Sequence, residues 1–557
     1  MQPIKFNRPV SPRLSNHCFL HAMIRAGNIG RAARLAERMM ARGTPLRTAT
    51  LHRIMAALCN SPQANIKATA RNFILTTIRR LESSDVLNIR FGDLADPCTR
   101  AAFRILKHAH TFGHRRSENM YNSLIQACLR QGEIIVASLL LVLLLKDLQR
   151  ARAQEAMLAA KTDADTSPSA QSPMLTRHGW KPGEMLRPIL RSIEETMAEN
   201  PIDDAGEVEL RMALQALANL TMLLTEGPAV RTSQLPQLIR TLYSVPRTNI
   251  KVWVWEDGEP RQVEAYTWFH HILWRMVQSL RPDCDAKLHF LPPSGRACNT
   301  LLHYSLRHRL SPDMASIVLT HMVERPRSRL KPDVVTYNIL IRSATILRQN
   351  QTADILLEYL LKAQQITTSG EGTVPEKDDC PKALQPLEAG QIMPALKALK
   401  KERLLIEPLI TRTDPDLNPD DYTLTSYIAH LTATGRPALV ADVVFQLLPE
   451  LKYGYDSTQD KESQKRSRQE CLQKAIGFGP VVLTAILNAL VKAEEIRLAE
   501  RVWMLALQAQ MVSWVPELRP GDAEPWCLPV LAYTVMMQAY AKKSRRHIAL
   551  ASRAQRE

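Results

Sequence analysis

Apolar residues along this chain recur three and four apart, the period of an amphipathic helix, and polar interruptions cut the pattern into pairs. The clearest pair lies within residues 296–363. There Tyr337, Leu340, Ile341 and Ala344 share one helical face, and Ala353, Leu356, Leu357, Tyr359 and Leu360 share a second. A turn near Gln349 to Gln351 separates them, so the stretch predicts a helical hairpin. One hairpin cannot bury its apolar face alone. A second copy starts at Ala297 to Leu302, with Asn299 standing 39 residues before Asn338, which predicts a stack of like units.

The pattern extends in both directions. Asn16 to Ala26 and Ile29 to Ala41 predict a pair turned at Gly27-Asn28 and stopped at Gly43, and the next pair opens at Thr48, with His52 standing 35 residues after His17. Ile66 to Leu81 and Thr99 to Phe112 predict further helices. Asn119-Met120-Tyr121-Asn122-Ser123-Leu124-Ile125 opens a pair turned at Gly132, whose second helix holds the apolar run Ala137 to Leu145, half of what a membrane span needs. Helical spacing returns at Glu207 to Leu224, Leu235 to Tyr243 and Tyr266 to Leu280, with a break at Glu226-Gly227-Pro228. Later pairs run from Asn418 to Pro449, turned at Gly435, and from Pro480 to Leu507, and a last one starts at Leu531 and is incomplete at Glu557. Period two appears once: Lys251 to Trp255 and Arg261 to Val263 flank Asp257-Gly258, which predicts a β-hairpin whose tryptophans pack on helices rather than stack on bases.

Residues 160–179, 369–382 and 453–467 are polar and aperiodic and predict insertions or surface loops. The expected organisation is five-part: basic amino-terminal repeats over 1–150, a flexible insertion and linker over 151–206, central repeats over 207–363 with the β-hairpin near 251–264 and the clearest pair at 295–363, a linker and helix over 364–418, and carboxy-terminal repeats over 419–557. The fold class is all-α, a right-handed solenoid of helical hairpins with loop insertions.

Composition supports helices. Aromatics are only 5% of 557 residues and glycines number 20, which disfavours a barrel or sandwich, and 45% hydrophobic content excludes global disorder. Charge sharpens the picture more. Residues 1–150 hold 23 Lys and Arg against 8 Asp and Glu, a balance of +15 out of +17 for the chain. A basic helical array of this kind suits a polyanion such as RNA. The first 36 residues contain no acid but carry Lys5, Arg8, Arg13, Arg25, Arg31 and Arg34, the composition of a mitochondrial transit segment, although helical spacing already begins near Leu14. Nine single cysteines with no Cys-x-x-Cys pair fit a reducing compartment.

Two clusters invite catalytic or metal chemistry. Of His108, His110 and His114, only the last two share a helical face, and no third ligand is fixed by spacing, so an exposed basic face is expected. Asp414, Asp416, Asp420 and Asp421 crowd one proline-containing stretch, whereas a two-metal nuclease gathers carboxylates from separated elements, so a loop and a helix N-terminus are expected. No phosphate loop or nucleophile motif occurs, and neither an enzyme nor a cofactor is expected.

The segment Lys331-Pro332-Asp333-Val334-Val335-Thr336-Tyr337-Asn338 resembles the pentatricopeptide repeat (PPR) family, whose repeats end in Lys-Pro-Asp and open with Val-Thr-Tyr-Asn. Tyr121-Asn122 and Asn418-Pro419-Asp420 restate parts of it, and the Trp-Leu-Gly pattern of the related tetratricopeptide repeat is absent. The resemblance implies that a polar residue early on the first helix and the last residue before the next repeat read one base, beside an aliphatic wedge. Carried over, that gives Asn299 with Asp333, then Asn338 with Val335 as its wedge, and the same helix position holds Asn122, Thr425, Thr484 and Thr534. Asn followed by Asp implies uridine, and Thr implies purines. Arg296 replaces the wedge beside Asn299, and Asn338 lacks a boundary partner in sequence. The implied function is binding of single-stranded organellar, most simply mitochondrial, RNA to support processing, stability or translation of a transcript, with no membrane span. The rival is a helical scaffold for proteins or the mitochondrial ribosome that reads no bases.

Overall fold

Helix pairs form wherever two apolar stripes are joined by a residue that turns left-handed. The computed structural model describes residues 12–60, 81–89, 94, 96–162, 183–199, 204–225, 234–256, 258–281, 290, 293–324, 331–368, 420–451, 461–518 and 524–554. Five hairpin turns share one geometry: Gly27, Gly132, Arg348, Gly435 and Glu494 take φ between 59° and 76°. The next amide then bonds a carbonyl in the previous helix, as in Asn28 N to Met23 O at 2.9 Å and Glu495 N to Leu490 O at 3.0 Å. The chain divides into two units, Met1–Tyr304 and Ser305–Glu557.

The first unit contains α1 (Pro12–Arg25), α2 (Ile29–Ala41), α3 (Thr48–Cys59), α4 (Pro97–Thr111), α5 (Glu118–Arg130), α6 (Ile134–Thr162), α7 (Gly183–Ala198), α8 (Asp204–Thr225), α9 (Leu235–Tyr243), strands β1 (Lys251–Glu256) and β2 (Glu259–Glu264), α10 (Ala265–Gln278) and α11 (Gly295–His303). The odd-numbered helices pack in succession from α1 to α11 and form one layer. Second helices form the other, through α2 on α4, α6 on α8 and α8 on α10. This is the helical-hairpin solenoid that the spacing predicts.

Two insertions split pairs in this unit. Residues 60–96 separate α3 from its partner α4, and the part expected as a helix over 66–80 lies outside the described residues. The β-hairpin separates α9 from α10, with Trp253 paired to Gln262 and Trp255 to Pro260. Its attachment is polar and buried. Gln215 on α8 mimics a strand edge, accepting from Trp253 N and donating to Trp253 O, each at 2.8 Å. Asn219 extends the network to Ser138 on α6 at 3.2 Å. Val252 and Val254 are buried beneath, and Trp253 Nε1 donates to Leu81 O at 3.1 Å, so Trp253 packs as expected while Trp255 stays exposed.

The interval 151–206 departs from its expectation as a flexible insertion and linker. α6 continues to Thr162, and α7 is a full first helix whose Met185, Leu186, Ile189, Leu190 and Ile193 are buried at helical spacing. Pro188 stands inside α7, which hides the helix from a composition-based reading. The aperiodic centre, 163–182, lies outside the described residues, as do the break at 226–233, the loop at 369–419 and residues 452–460.

The second unit contains α12 (Pro312–Glu324), α13 (Val334–Ile346), α14 (Asn350–Thr368), α15 (Asp421–Ala433), α16 (Pro437–Leu447), α17 (Lys461–Lys492), α18 (Ile496–Ser513) and α19 (Val530–Ala554). α13, α15, α17 and α19 stack as its first helices. Residues 461–467, expected within a polar loop, are helical, and α17 breaks at Gly479 (φ 68°) before Pro480. Arg468–Lys492 is long and apolar enough to cross a membrane, which the sequence reading did not anticipate. It is bent at that break, and its Val482, Leu483, Ile486, Leu487 and Leu490 form the core of the unit.

Candidate nucleic-acid interface

Three first helices open on short polar residues whose side chains hold the amide ends. Ser294 caps α11, and Asp333 and Asp420 cap α13 and α15 in capping boxes with Thr336 and Thr423. Asp333 Oδ1 accepts from Thr336 N at 2.9 Å, and Asp420 Oδ1 accepts from Thr423 N at 2.8 Å. Ser117 opens α5 in the same place, but its side chain bonds no amide there. Each cap fixes the rotation of its helix. Five residues beyond it stand Asn122, Asn299, Asn338 and Thr425, and five beyond the break at Gly479 stands Thr484.

Two residues beyond the same starting points, Val335, Tyr422 and Val481 are all exposed, and so is Leu531 on α19. An exposed apolar side chain therefore precedes a polar one by three residues on all four first helices of the second unit. Tyr422 was not singled out from sequence, because the resemblance asks for an aliphatic wedge.

The structure supplies the partner that Asn338 lacks in sequence. Asn338 Nδ2 donates to Asp420 Oδ1 at 3.0 Å, across the 82 positions that separate them. Its Oδ1 is buried and unpartnered. Asp420, expected as a helix-end charge and as the end of a restated Lys-Pro-Asp boundary, therefore both caps α15 and accepts from Asn338. Burial, and then Asp420, raises the carboxyl of Asp421 above its ordinary value. Asp414 and Asp416 lie outside the described residues.

One turn beyond Asn338, Arg342 donates from Nε to Ser426 Oγ at 2.8 Å and from Nη2 to Thr425 Oγ1 at 2.7 Å. Both hydroxyls donate onward to Tyr422 O. Arg307, in the π-helical turn Tyr304–His308, is shifted down by burial and then by Arg342, and its Nε is buried without a partner. Burial and Arg307 also lower His308. Two guanidiniums thus lie within electrostatic reach of one another, and the hydrogen bonds described for Arg342 go to hydroxyls alone.

The remaining candidates differ. Asn299 is buried on α11 in the first unit, whereas Asp333 opens α13 in the second. Asn122 is exposed on α5. Thr484 is buried and donates to Pro480 O at 2.6 Å, and Thr534 is exposed and donates to Val530 O at 3.0 Å. Of the three histidines, His114 Nε2 accepts the Leu46 amide at 3.1 Å and His108 stacks on Phe112, so only His110 stands as a plain exposed side chain. In the first unit Arg25, Arg31, Arg34, Arg38, Arg47 and Arg53 are exposed, and burial together with Arg53 lowers both His21 and His52.

Stacked helical hairpins with a repeated apolar and polar register on their first helices define a helical-repeat protein. Residues 120–147 match the PPR repeat family model, so the chain carries a pentatricopeptide repeat and the resemblance read from its sequence holds. The matched repeat is α5 with the start of α6, where Tyr121 is buried and donates to Asp147, which also pairs with Arg116. None of the curated proteins matches the chain. Among solved structures it is similar to pentatricopeptide repeat protein PPR10 in complex with an 18-nt psaJ RNA element, at 14% identity and TM-score 0.29, covering 97% of this chain and 59% of that one. PPR10 from maize is similar at 14% identity and TM-score 0.26, with 97% and 58% covered. The chain spans less than two thirds of the length of these structures.

Proposed function

We propose that this chain binds single-stranded RNA and reads it through the first helices of its second unit. The observation that carries the reading is the Asn338–Asp420 pair, with Val335 and Tyr422 exposed on either side of it in register. Bases enter between successive wedges, and the Asn338 amide meets the Watson–Crick edge of one of them, with uracil preferred because Asn followed by Asp carries that preference in the resembling family. Asn299 on α11 holds the corresponding helix position in the first unit. Arg307 and Arg342 hold phosphate, as do the exposed arginines of the first unit.

The acid-free, arginine-rich first 36 residues support a mitochondrial location. There the chain stabilises, processes or helps translate a transcript by shielding it, without catalysis of its own. A solved PPR protein, PPR10, is described in complex with RNA, which supports the same class of ligand. The scaffold reading has one observation in its favour: the Thr425 and Thr484 hydroxyls are already bonded inside the protein, so these repeats carry no available base-reading group. In that reading the chain docks on proteins or on the mitochondrial ribosome.

Salt dependence separates the two. Affinity for a uridine-containing single strand is expected to fall steeply between about 50 and 200 mM salt, and Arg307→Gln to lower the slope of log affinity against log salt by about one. A flat salt profile, or a slope that Arg307→Gln leaves unchanged, contradicts phosphate contact at this site.

A further inference from the structure

Stacked helical hairpins touch only their neighbours, so such an array opens pair by pair from its ends. The first unit departs from that rule at Trp253. Its hairpins pair α1 with α2, α3 with α4, α5 with α6, α7 with α8 and α9 with α10, so residues 81–89 belong to the second pair and the β-hairpin to the fifth. Both stand between the two helices of a pair, where the chain turns, and all such turns lie on one edge of a stack. The third and fourth pairs lie between them.

The two segments nevertheless meet along that edge. Trp253 Nε1 donates to Leu81 O across 172 positions, and both strands pack on the short helical turn Ser84–Leu87, whose Val86 and Leu87 are buried. Ser83 accepts from Asp85 N and holds that turn in shape. The backbone of the same tryptophan is bracketed by Gln215 of the fourth pair, and Gln215 reaches Ser138 of the third through Asn219. One residue is thus tied to four successive pairs. Gln215 and Asn219 are both buried, so lifting the hairpin leaves their amides unpaired.

We infer that the β-hairpin and the Ser84–Leu87 turn form a clasp, pinned at Trp253, that closes over the third and fourth pairs and makes pairs two to five one cooperative block. No pair inside the block opens without breaking the clasp as well as its own two interfaces. The spacing of α3, α5, α7 and α9 is therefore held, where an unclasped array of hairpins is free to stretch.

Hydrogen exchange of the full chain, followed by mass spectrometry, tests this directly. In the parent, α3, α5, α7 and α9 are expected to share one opening free energy. Trp253→Phe removes the indole donor while the Gln215 bracket on the backbone stays, and is expected to speed exchange across 84–88, where Val86 N and Asn88 N are bonded within the turn, and across α4 by roughly tenfold. Val86→Ala loosens the clasp from its other side, at a residue far from the hairpin in sequence, and is expected to speed exchange of β1 severalfold. Exchange of the second unit is expected to stay as in the parent for both variants, which separates a lost clasp from a misfolded chain. A graded series of openings from α3 to α9 in the parent overturns the clasp. So does exchange across 84–88 unmoved by Trp253→Phe, or β1 unmoved by Val86→Ala.

Discussion

Asp420 is the residue on which cap and site coincide. Its carboxylate holds Thr423 N and Oγ1 and the Asn338 amide at once, so its removal acts on stability and on recognition together. Asp420→Ala is expected to cost about 1–2 kcal/mol from the lost cap, measured by chemical denaturation, besides weakening RNA binding. Asp420→Asn keeps an acceptor for the cap and stays within about 0.5 kcal/mol of the parent. The same change removes the charge that orients Asn338, so it shifts base preference without a matching loss of stability. Equal losses in both variants contradict the assignment of Asp420 to the site. Half of this pair was legible in the chain, because Asn338 sits in the Tyr-Asn signature. Asp420 was read as the end of a restated boundary motif, but its pairing with Asn338 was not legible, because the 82 positions between them include an insertion that spacing alone does not cross. Arg342 was missed for a related reason: helical geometry alone places it on the Asn338 face, but its bonds to Thr425 and Ser426 exist only once α15 stacks on α13.

At the scale of the element, turns and attachments carry the testable content. Three of the five hairpin turns use glycine, as the sequence indicates at Gly27, Gly132 and Gly435, but Arg348 and Glu494 hold the same left-handed backbone at φ 59° and 64°. A side chain there costs about 1–2 kcal/mol, and glycine's greater freedom in the unfolded chain offsets about 0.5–1 of the relief. Arg348→Gly is therefore expected to stabilise the second unit by roughly 0.5 kcal/mol, read as a higher midpoint in denaturant; a loss of stability contradicts the common turn. The β-hairpin was readable from Asp257-Gly258 between alternating runs, yet its anchor Gln215 reads in sequence as an ordinary position on an amphipathic helix. Gln215→Leu leaves Trp253 N and O unpaired and strands Asn219, and is expected to cost about 2–4 kcal/mol and to speed exchange of the Trp253 amide. Exchange unchanged at Trp253 contradicts the anchor. α7 escaped the sequence reading because Pro188 and the polar stretch before it mask five buried apolar residues.

For the whole molecule, charge and recognition are unevenly shared. The first 150 residues hold +15 of the net +17, whereas the register of an exposed apolar residue three positions before a polar one repeats on α13, α15, α17 and α19 of the second unit. On this reading affinity for RNA comes largely from the basic repeats and is salt-sensitive, and selectivity comes from Asn338 and its neighbours. The measurement that tests the central claim most directly is selection from a random-sequence pool of single-stranded RNA by the full chain, beside the Asn338→Ala, Asp420→Ala double variant. The account predicts that the parent enriches a short motif with a fixed uridine. It also predicts that the variant loses that one preference while binding weakens by about 1–3 kcal/mol. No enriched motif, or the same motif enriched by both proteins, would contradict base reading by these repeats and leave the scaffold reading in its place.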